Sequence, residues 1–169
     1  MAWTPTLAVI KTRGVAANLL AYITDGTRQT DAYTWAGDAA LRTIKTVSNS
    51  VASRTTPFYP AIAFSDDNDA QDFTNDIINA AYSCIFEVSI QNADPDAAVV
   101  QARKYAAAIA SMIVNCPKAT LTANTGAVDA SLNTIETGFE PIKTNEMQND
   151  FLQVFQIRVT FTLYAEYLT

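Results

Sequence analysis

An α+β fold, with an antiparallel or mixed β-sheet, helices packed on one face and a long C-terminal β-strand, is predicted by three features of this sequence. The first is the run Phe151 to Leu168. Its odd positions, Phe151, Phe155, Ile157, Val159, Phe161, Leu163, Ala165 and Tyr167, are apolar apart from Gln153, and its even positions from Gln156 onward are mostly polar. Successive strand side chains point to opposite faces, so this run sets one face on a core and the other in water. The second is Tyr82 to Gln91, where Tyr82, Cys84, Phe86, Val88 and Ile90 share a face against Ser83, Glu87, Ser89 and Gln91. The third is the helical stretch between them, opened by Asp94, Pro95 and Asp96. Strands separated by helices, with alternating rather than continuously apolar patterns, favour a sheet that is covered on one side only.

In chain order, Gly14 to Thr24 carries Val15, Leu19, Leu20 and Ile23 at helical spacing and stops at the turn signal Thr24, Asp25, Gly26. A second helix is predicted from Thr30 or Asp31 to about Ser50, with Trp35, Ala39, Ala40, Ile44, Val47 and Val51 as its buried stripe and Gly37 weakening it by about 1 kcal/mol. Pro57 and Pro60 break that helix and lead to a short strand, Ala61 to Phe64, at or near a sheet edge. The run Ser65 to Asp72 reads as an acidic turn capping a short helix, with Phe73, Ile77 and Ile78 inward. A calcium loop built on Asp67, Asp69 and Asp72 is the competing reading. It lacks the turn glycine and the bidentate glutamate of an EF-hand.

Asp94 is an N-cap, Pro95 the first helical residue and Asp96 a charge favourable to the helix dipole. The helix is predicted to run to about Asn115 with Val99, Ala102, Tyr105 or Ala106, Ile109, Met112 and Ile113 as its apolar stripe, and to be stopped by Pro117. Lys118 to Asp150 is a long excursion with one or two short strands, a candidate assembly arm of a single domain spanning residues 1–169. The C-terminal strand, at about 3.3 Å per residue, would reach roughly 60 Å, so a bulge or an overhang is expected.

Charge and composition narrow the function. The 169 residues are 49% hydrophobic and 17% charged, a balance that folds. The net charge of −6 argues against nucleic acid or an anionic membrane as the main partner, since both select clustered Lys and Arg. Met1 to Arg54 sums to +3, Thr55 to Ala102 to −8 and Arg103 to Thr169 to −1. Such opposite segments suit head-to-tail contacts that close into a ring. No basic, apolar leader and no run of about 18 apolar residues is present, which predicts a soluble chain made in the cytoplasm with Cys84 and Cys116 as free thiols.

The sequence offers no catalytic constellation. There is no His, which removes Ser-His-Asp and Cys-His chemistry and the commonest zinc ligand. No glycine-rich phosphate cradle occurs, neither cysteine has a neighbour at metal spacing, and the carboxylate pairs are explained by turns and caps. No enzyme activity, cofactor or metal is therefore assigned. Aromatic residues point instead to self-association: Trp3, Trp35, Phe58, Tyr59, Phe139, Tyr164 and Tyr167 lie near ends, loops or the polar face of a strand. Trp35 is read as core. The interface candidates are Tyr164, Tyr167, Arg158 and Phe139.

The order of these elements resembles a known group. Helices, the Pro-flanked strand Tyr59 to Phe64, the alternating strand Cys84 to Ile90, the helix opened by Asp94, Pro95 and Asp96 and continuing through Arg103 to Ile109, and a terminal strand rich in Val, Ile, Phe and Tyr look like the tail terminator and neck (head–tail joining) proteins of tailed bacteriophages. The resemblance spans about Ala16 to the C-terminus and lies in layout, because those families carry no catalytic motif; the excursion from Lys118 departs from it. It implies a virion protein, assembled in the host cytoplasm, that forms a ring, usually a hexamer, on the tail tube. The ring would stop tube polymerisation, meet the tube protein on one face and the head connector or neck protein on the other, and let DNA pass without specific binding. Alternatives are a head-completion, connector or tail-tube protein, or, from another class, a small soluble ligand-binding module or enzyme.

Overall fold

The structure, a computed structural model, describes residues 9–48, 59–145 and 150–166. Helix α1 (Thr12–Ile23) buries Val15, Ala16, Leu19, Leu20 and Ile23 at the predicted spacing. Helix α2 (Gly26–Trp35) starts on Asp25, whose carboxylate accepts from the Arg28 amide at 3.0 Å. It does not continue to Ser50. Gly37 sits at φ +83°, the Gly37 amide bonds the Thr34 carbonyl and the Asp38 amide bonds the Tyr33 carbonyl. This is a Schellman stop, in which a left-handed glycine turns the chain back onto the last helical carbonyls. Gly37 therefore ends the helix rather than weakening it. Trp35, expected in the core, is 68% exposed. Leu41 and Ile44 are buried from a non-helical segment that leads to β1 (Thr46–Ser48). Val51, Ser50 and Pro57 lie outside the described residues.

Strand β2 (Ala61–Thr74) begins where predicted, after a cis Tyr59–Pro60 bond, but runs through the acidic stretch that had read as a turn and helix. The true turn is Asn75–Asp76, both at positive φ (51° and 63°), closing Thr74 onto Ile77. Two left-handed residues make the hairpin loop whose twist matches that of the flanking strands. Beyond it β3 (Ile77–Asn92) pairs with β2 along its length, with an extra residue, Asp67, at a β-bulge. Phe73, expected inward, is half exposed near the hairpin tip, whereas Ile78 is buried.

Helix α3 (Pro95–Val114) has the predicted start: the Asp94 side chain accepts from the amides of Asp96 and Ala97. It is long and apolar enough to cross a membrane by length and composition. Here its stripe of Ala98, Ala102, Tyr105, Ile109, Met112 and Ile113 is core. The excursion that follows holds a short helix α4 (Lys118–Thr122), β4 (Asp129–Phe139) and β5 (Lys143–Asn145).

Strand β6 (Asp150–Glu166) buries Gln153, Phe155, Ile157, Val159, Phe161, Leu163 and Ala165 on one face, as its alternation predicts. Among the described residues of β6 the expected bulge or overhang is absent. β3 matches β6 residue for residue, from Ile77 opposite Glu166 to Asn92 opposite Phe151. The irregularities lie in its neighbours, at Asp67 in β2 and Asn133 in β4.

The strand order is β1-β2-β3-β6-β4, with β5 beside β6 beyond the end of β4. β1 is parallel to β2 and the other pairings are antiparallel, so the protein is α+β with a mixed sheet. Helices α1 and α3 pack on the sheet face that carries Phe64, Phe86, Cys84, Ile157, Val159 and Phe161. Each of these large side chains is nearly fully withdrawn from water and contributes roughly 1.5–3 kcal/mol by burial.

Candidate interaction surfaces

The four interface candidates divide between surfaces. Arg158 and Tyr164 are even-numbered in β6 and stand on the sheet face turned away from the helices. Arg158 Nε lies 3.1 Å from Asp67 Oδ2, and its Nη1 lies 3.6 Å from Glu136 Oε2. Asp67 reaches this face because it is the extra residue of the β2 bulge, and it also accepts from Ser83 Oγ at 2.9 Å. One guanidinium thus links β2, β6 and β4 across the sheet. The pairs are solvent-exposed, so each adds only about 0–1 kcal/mol.

The Tyr164 hydroxyl donates to Glu166 Oε1 at 2.8 Å, and that bond, with a smaller contribution from desolvation, raises the phenol's pKa above its usual value. Beside it, Thr134 and Thr160 hydroxyls meet at 2.6 Å, and Asn133 Nδ2 donates to Thr162 Oγ1 at 2.8 Å. These side chains tie β4 to β6 across the exposed face.

Phe139 is on the opposite, helix-bearing face. It pairs with Phe155 across the strands, with ring centroids 5.6 Å apart, and the Arg103 guanidinium of α3 lies 5.0 Å from its ring centroid. It remains 39% exposed, at the last residue of β4. Tyr167, with Trp3 and Phe58, lies outside the described residues.

The opposite charges of the first and middle segments meet inside one subunit. Arg13 pairs with Asp66, Thr12 Oγ1 donates to Asp69 Oδ2 at 2.5 Å, and Gln71 exchanges two hydrogen bonds with the Ile10 backbone. Tyr82, buried in β3, donates its hydroxyl to Asp66 Oδ1 at 2.6 Å. The start of α1 is thereby laced to β2, which disperses part of the acidic run that a ring contact would have used. The calcium reading fails on the same geometry, since Asp66 and Asp69 bond toward α1 while Asp67 bonds Ser83 and Arg158. Among the described residues no group of three or more His, Cys, Asp or Glu is placed to hold a metal.

Cys84 and Cys116 are free and buried. Burial pushes the Cys84 thiol up to about 12, with Asp66 and Asp67 adding to the shift, and the Cys116 thiol up to about 11. Both are protonated at neutral pH and poor nucleophiles. The hollows on the surface are shallow; one of about 230 Å³ is lined by Ile85, Glu136, Thr137, Gly138, Gln156 and Arg158, and another of about 320 Å³ by residues of the β2–β3 hairpin and Thr162. Neither collects buried polar groups converging on one point, which a small-molecule site uses to fix orientation. Sequence reasoning missed exposed Trp35 and the Arg13–Asp66–Tyr82 cluster. For Trp35 the signal was Gly37 two residues on; for the cluster no local pattern existed, because its members come from three elements.

No family model matches the chain, and no curated protein matches it. Among solved structures, it is similar to a chain described as "Virion of native gene transfer agent (GTA) particle", with a TM-score of 0.45 and 15% identity over 90% of this chain and 97% of that one, a likeness too distant to carry a functional statement.

Proposed function

We propose that the protein is a structural component of a phage-like virion, and within that class a tail terminator that forms a ring on the tail tube, stops its polymerisation and joins tail to head connector. The observation that supports this most directly is the sheet itself. The Pro-flanked strand, the alternating strand, the helix capped by Asp94 and the long terminal strand, which carried the resemblance, are assembled in one α+β layer in which β4 is an open edge among the described residues. An open edge presents unpaired backbone donors and acceptors to another chain. In this reading the protein works by contact, and Tyr164, Arg158 and Phe139 are contact residues. It acts in the virion, at the tail or neck, with DNA passing its acidic ring unbound.

The test is the solution mass by light scattering behind a sizing column, over a range of concentrations and with tail tubes added. A closed ring, or a monomer that becomes one on tubes and halts their growth, supports the terminator. Indefinite stacking marks a tube subunit instead, and a chain that joins neither itself nor tubes ends the proposal.

A further inference from the structure

The backbone hydrogen bonds of β4 show which of its residues face the open edge. The Glu140 amide donates to the Val154 carbonyl at 2.9 Å, and the register sets Phe139 opposite Phe155, so Glu140 and Val154 form a hydrogen-bonded pair. In an antiparallel ladder such pairs alternate with pairs that make no bond. Beyond the bulge at Asn133, Glu136 and Gly138 therefore turn their amides and carbonyls toward β6. Ile135, Thr137 and Phe139 turn theirs outward, to an edge with no partner strand among the described residues. Their side chains stand on the helix-bearing face, and those of Glu136 and its neighbours on the other.

Nothing along this edge refuses another strand. β4 has neither Lys nor Pro, the residues that commonly guard an edge. Its carboxylates are answered within the subunit: Glu136 lies 3.6 Å from Arg158, Asp129 pairs with Lys118 at 2.9 Å and Glu140 with Lys143 at 2.9 Å. What the edge can accept is decided by register, and the stretch after the bulge matches itself. Antiparallel pairing with β4 of a second copy, centred on Glu136, would oppose Glu136 to Glu136; centred on Gly138 it would oppose Glu136 to Glu140, and like charges opposed across strands destabilise. Centred on Phe139 it would set Thr137 against Pro141, which has no amide hydrogen, and centred on Ile135 it would set Thr137 against the bulged Asn133. Centred on Thr137, every pairing is favourable. Ile135 then faces Phe139 of the copy, an aromatic beside a β-branched side chain, Glu136 faces the bare Gly138, and Thr137 faces its own counterpart. The outward amides and carbonyls of Ile135, Thr137 and Phe139 all meet outward groups of the copy.

We infer that the occupant of the β4 edge in the free protein is β4 of a second copy, paired antiparallel about a two-fold axis at Thr137. Such a contact is isologous: Ile135 of each copy meets Phe139 of the other, and the two sheets become one. A cyclic ring contains no such axis. The pairing is therefore independent of the ring proposed above and goes beyond it: it closes, before assembly, the edge that the ring would use.

Hydrogen exchange and one side chain test it without tubes. Light scattering on the native chain should give a dimer that dissociates on dilution. As the dimer forms, exchange should slow at the amides of Ile135, Thr137 and Phe139 and stay unchanged at those of Glu136 and Gly138, which already face β6. Thr137 is exposed, so circular dichroism and the thermal midpoint of its variants should stay native. Thr137→Lys opposes two cations at the axis and Thr137→Glu two anions, so each alone should dimerise about tenfold or more weakly than the native chain. Mixed in equal amounts, they should recover a dimer holding one copy of each. A native chain that is monomeric at every concentration, a dimer whose Ile135, Thr137 and Phe139 amides exchange as in the monomer, a Thr137→Lys protein that dimerises like the native one, or a mixture that recovers nothing overturns the pairing and leaves the ring standing. A dimer with the expected exchange pattern that never joins tubes upholds the pairing and ends the terminator reading.

Discussion

β6 and β2 are strands of similar length in the same sheet, yet only one of them looks like a strand in the sequence. β6 is paired on both sides along most of its length and covered by helices on one face, so every second residue is forced apolar from Phe155 to Ala165. β2 obeys that rule only from Ala61 to Phe64. From Ser65 on, among the described residues, it pairs with β3 alone, and its helix-side positions Asp66, Asp69 and Gln71 bond the start of α1 and Tyr82 instead of entering a core. A central strand is specified by burial and an edge strand by its partners.

That contrast can be broken most forcefully in β6. Phe161→Ala removes a fully buried ring between β3 and β4 and should destabilise the fold by about 3–5 kcal/mol in denaturant unfolding. In β2 the comparable change is polar. Asp66→Ala leaves the buried Tyr82 hydroxyl without its acceptor, an expected loss of about 1–3 kcal/mol. Asp66→Asn keeps an acceptor while removing the charge opposite Arg13 and should lose about 1 kcal/mol or less. If the two variants unfold at the same denaturant concentration, the hydroxyl bond is not what anchors this strand.

Cys84 lies in β3 between the two strands and reports on both. Its thiol pKa is raised in the folded protein to about 12, against about 8.5 in an unfolded chain. The stabilisation is fully present below the unfolded value and is lost as pH rises from there toward the folded one. At pH 8 a thiol reagent should therefore modify neither cysteine until the protein is unfolded, and stability should fall between about pH 9 and 12. Cys84→Ala should flatten that slope. The smallest effect is expected at the hairpin tip: Asp76→Gly puts glycine where φ is 63° and should stabilise by a few tenths of a kcal/mol, visible as a small rise in thermal midpoint.

The same physics explains what could be read in advance. α1, α3, β3 and β6 were legible because each buries a single regular stripe, and the start of α3 because Asp94, Pro95 and Asp96 all act locally. The sequence pattern overextends the second helix because Ala39, Ala40, Ile44 and Val47 also fall at helical spacing. The left-handed turn at Gly37 overrides that spacing, and Leu41 and Ile44 are buried from a loop. The acidic stretch reads as a turn in the sequence because the apolar run ends at Phe64, where burial ends. Of the interface candidates, Arg158 and Tyr164 could be placed on one face from their parity in β6. Phe139 could not, since the Asn133 bulge shifts the side to which the rest of β4 points.

The uninterrupted register of β3 against β6 also has a mechanical side. Force applied along the strands meets these two antiparallel partners in shear, so the rungs from Ile77 opposite Glu166 to Asn92 opposite Phe151 carry load together rather than one after another. Force across the sheet at β4 would instead peel that strand away rung by rung from Phe139 or from Asp129. The molecule is stiff along its strands and yields at its margin.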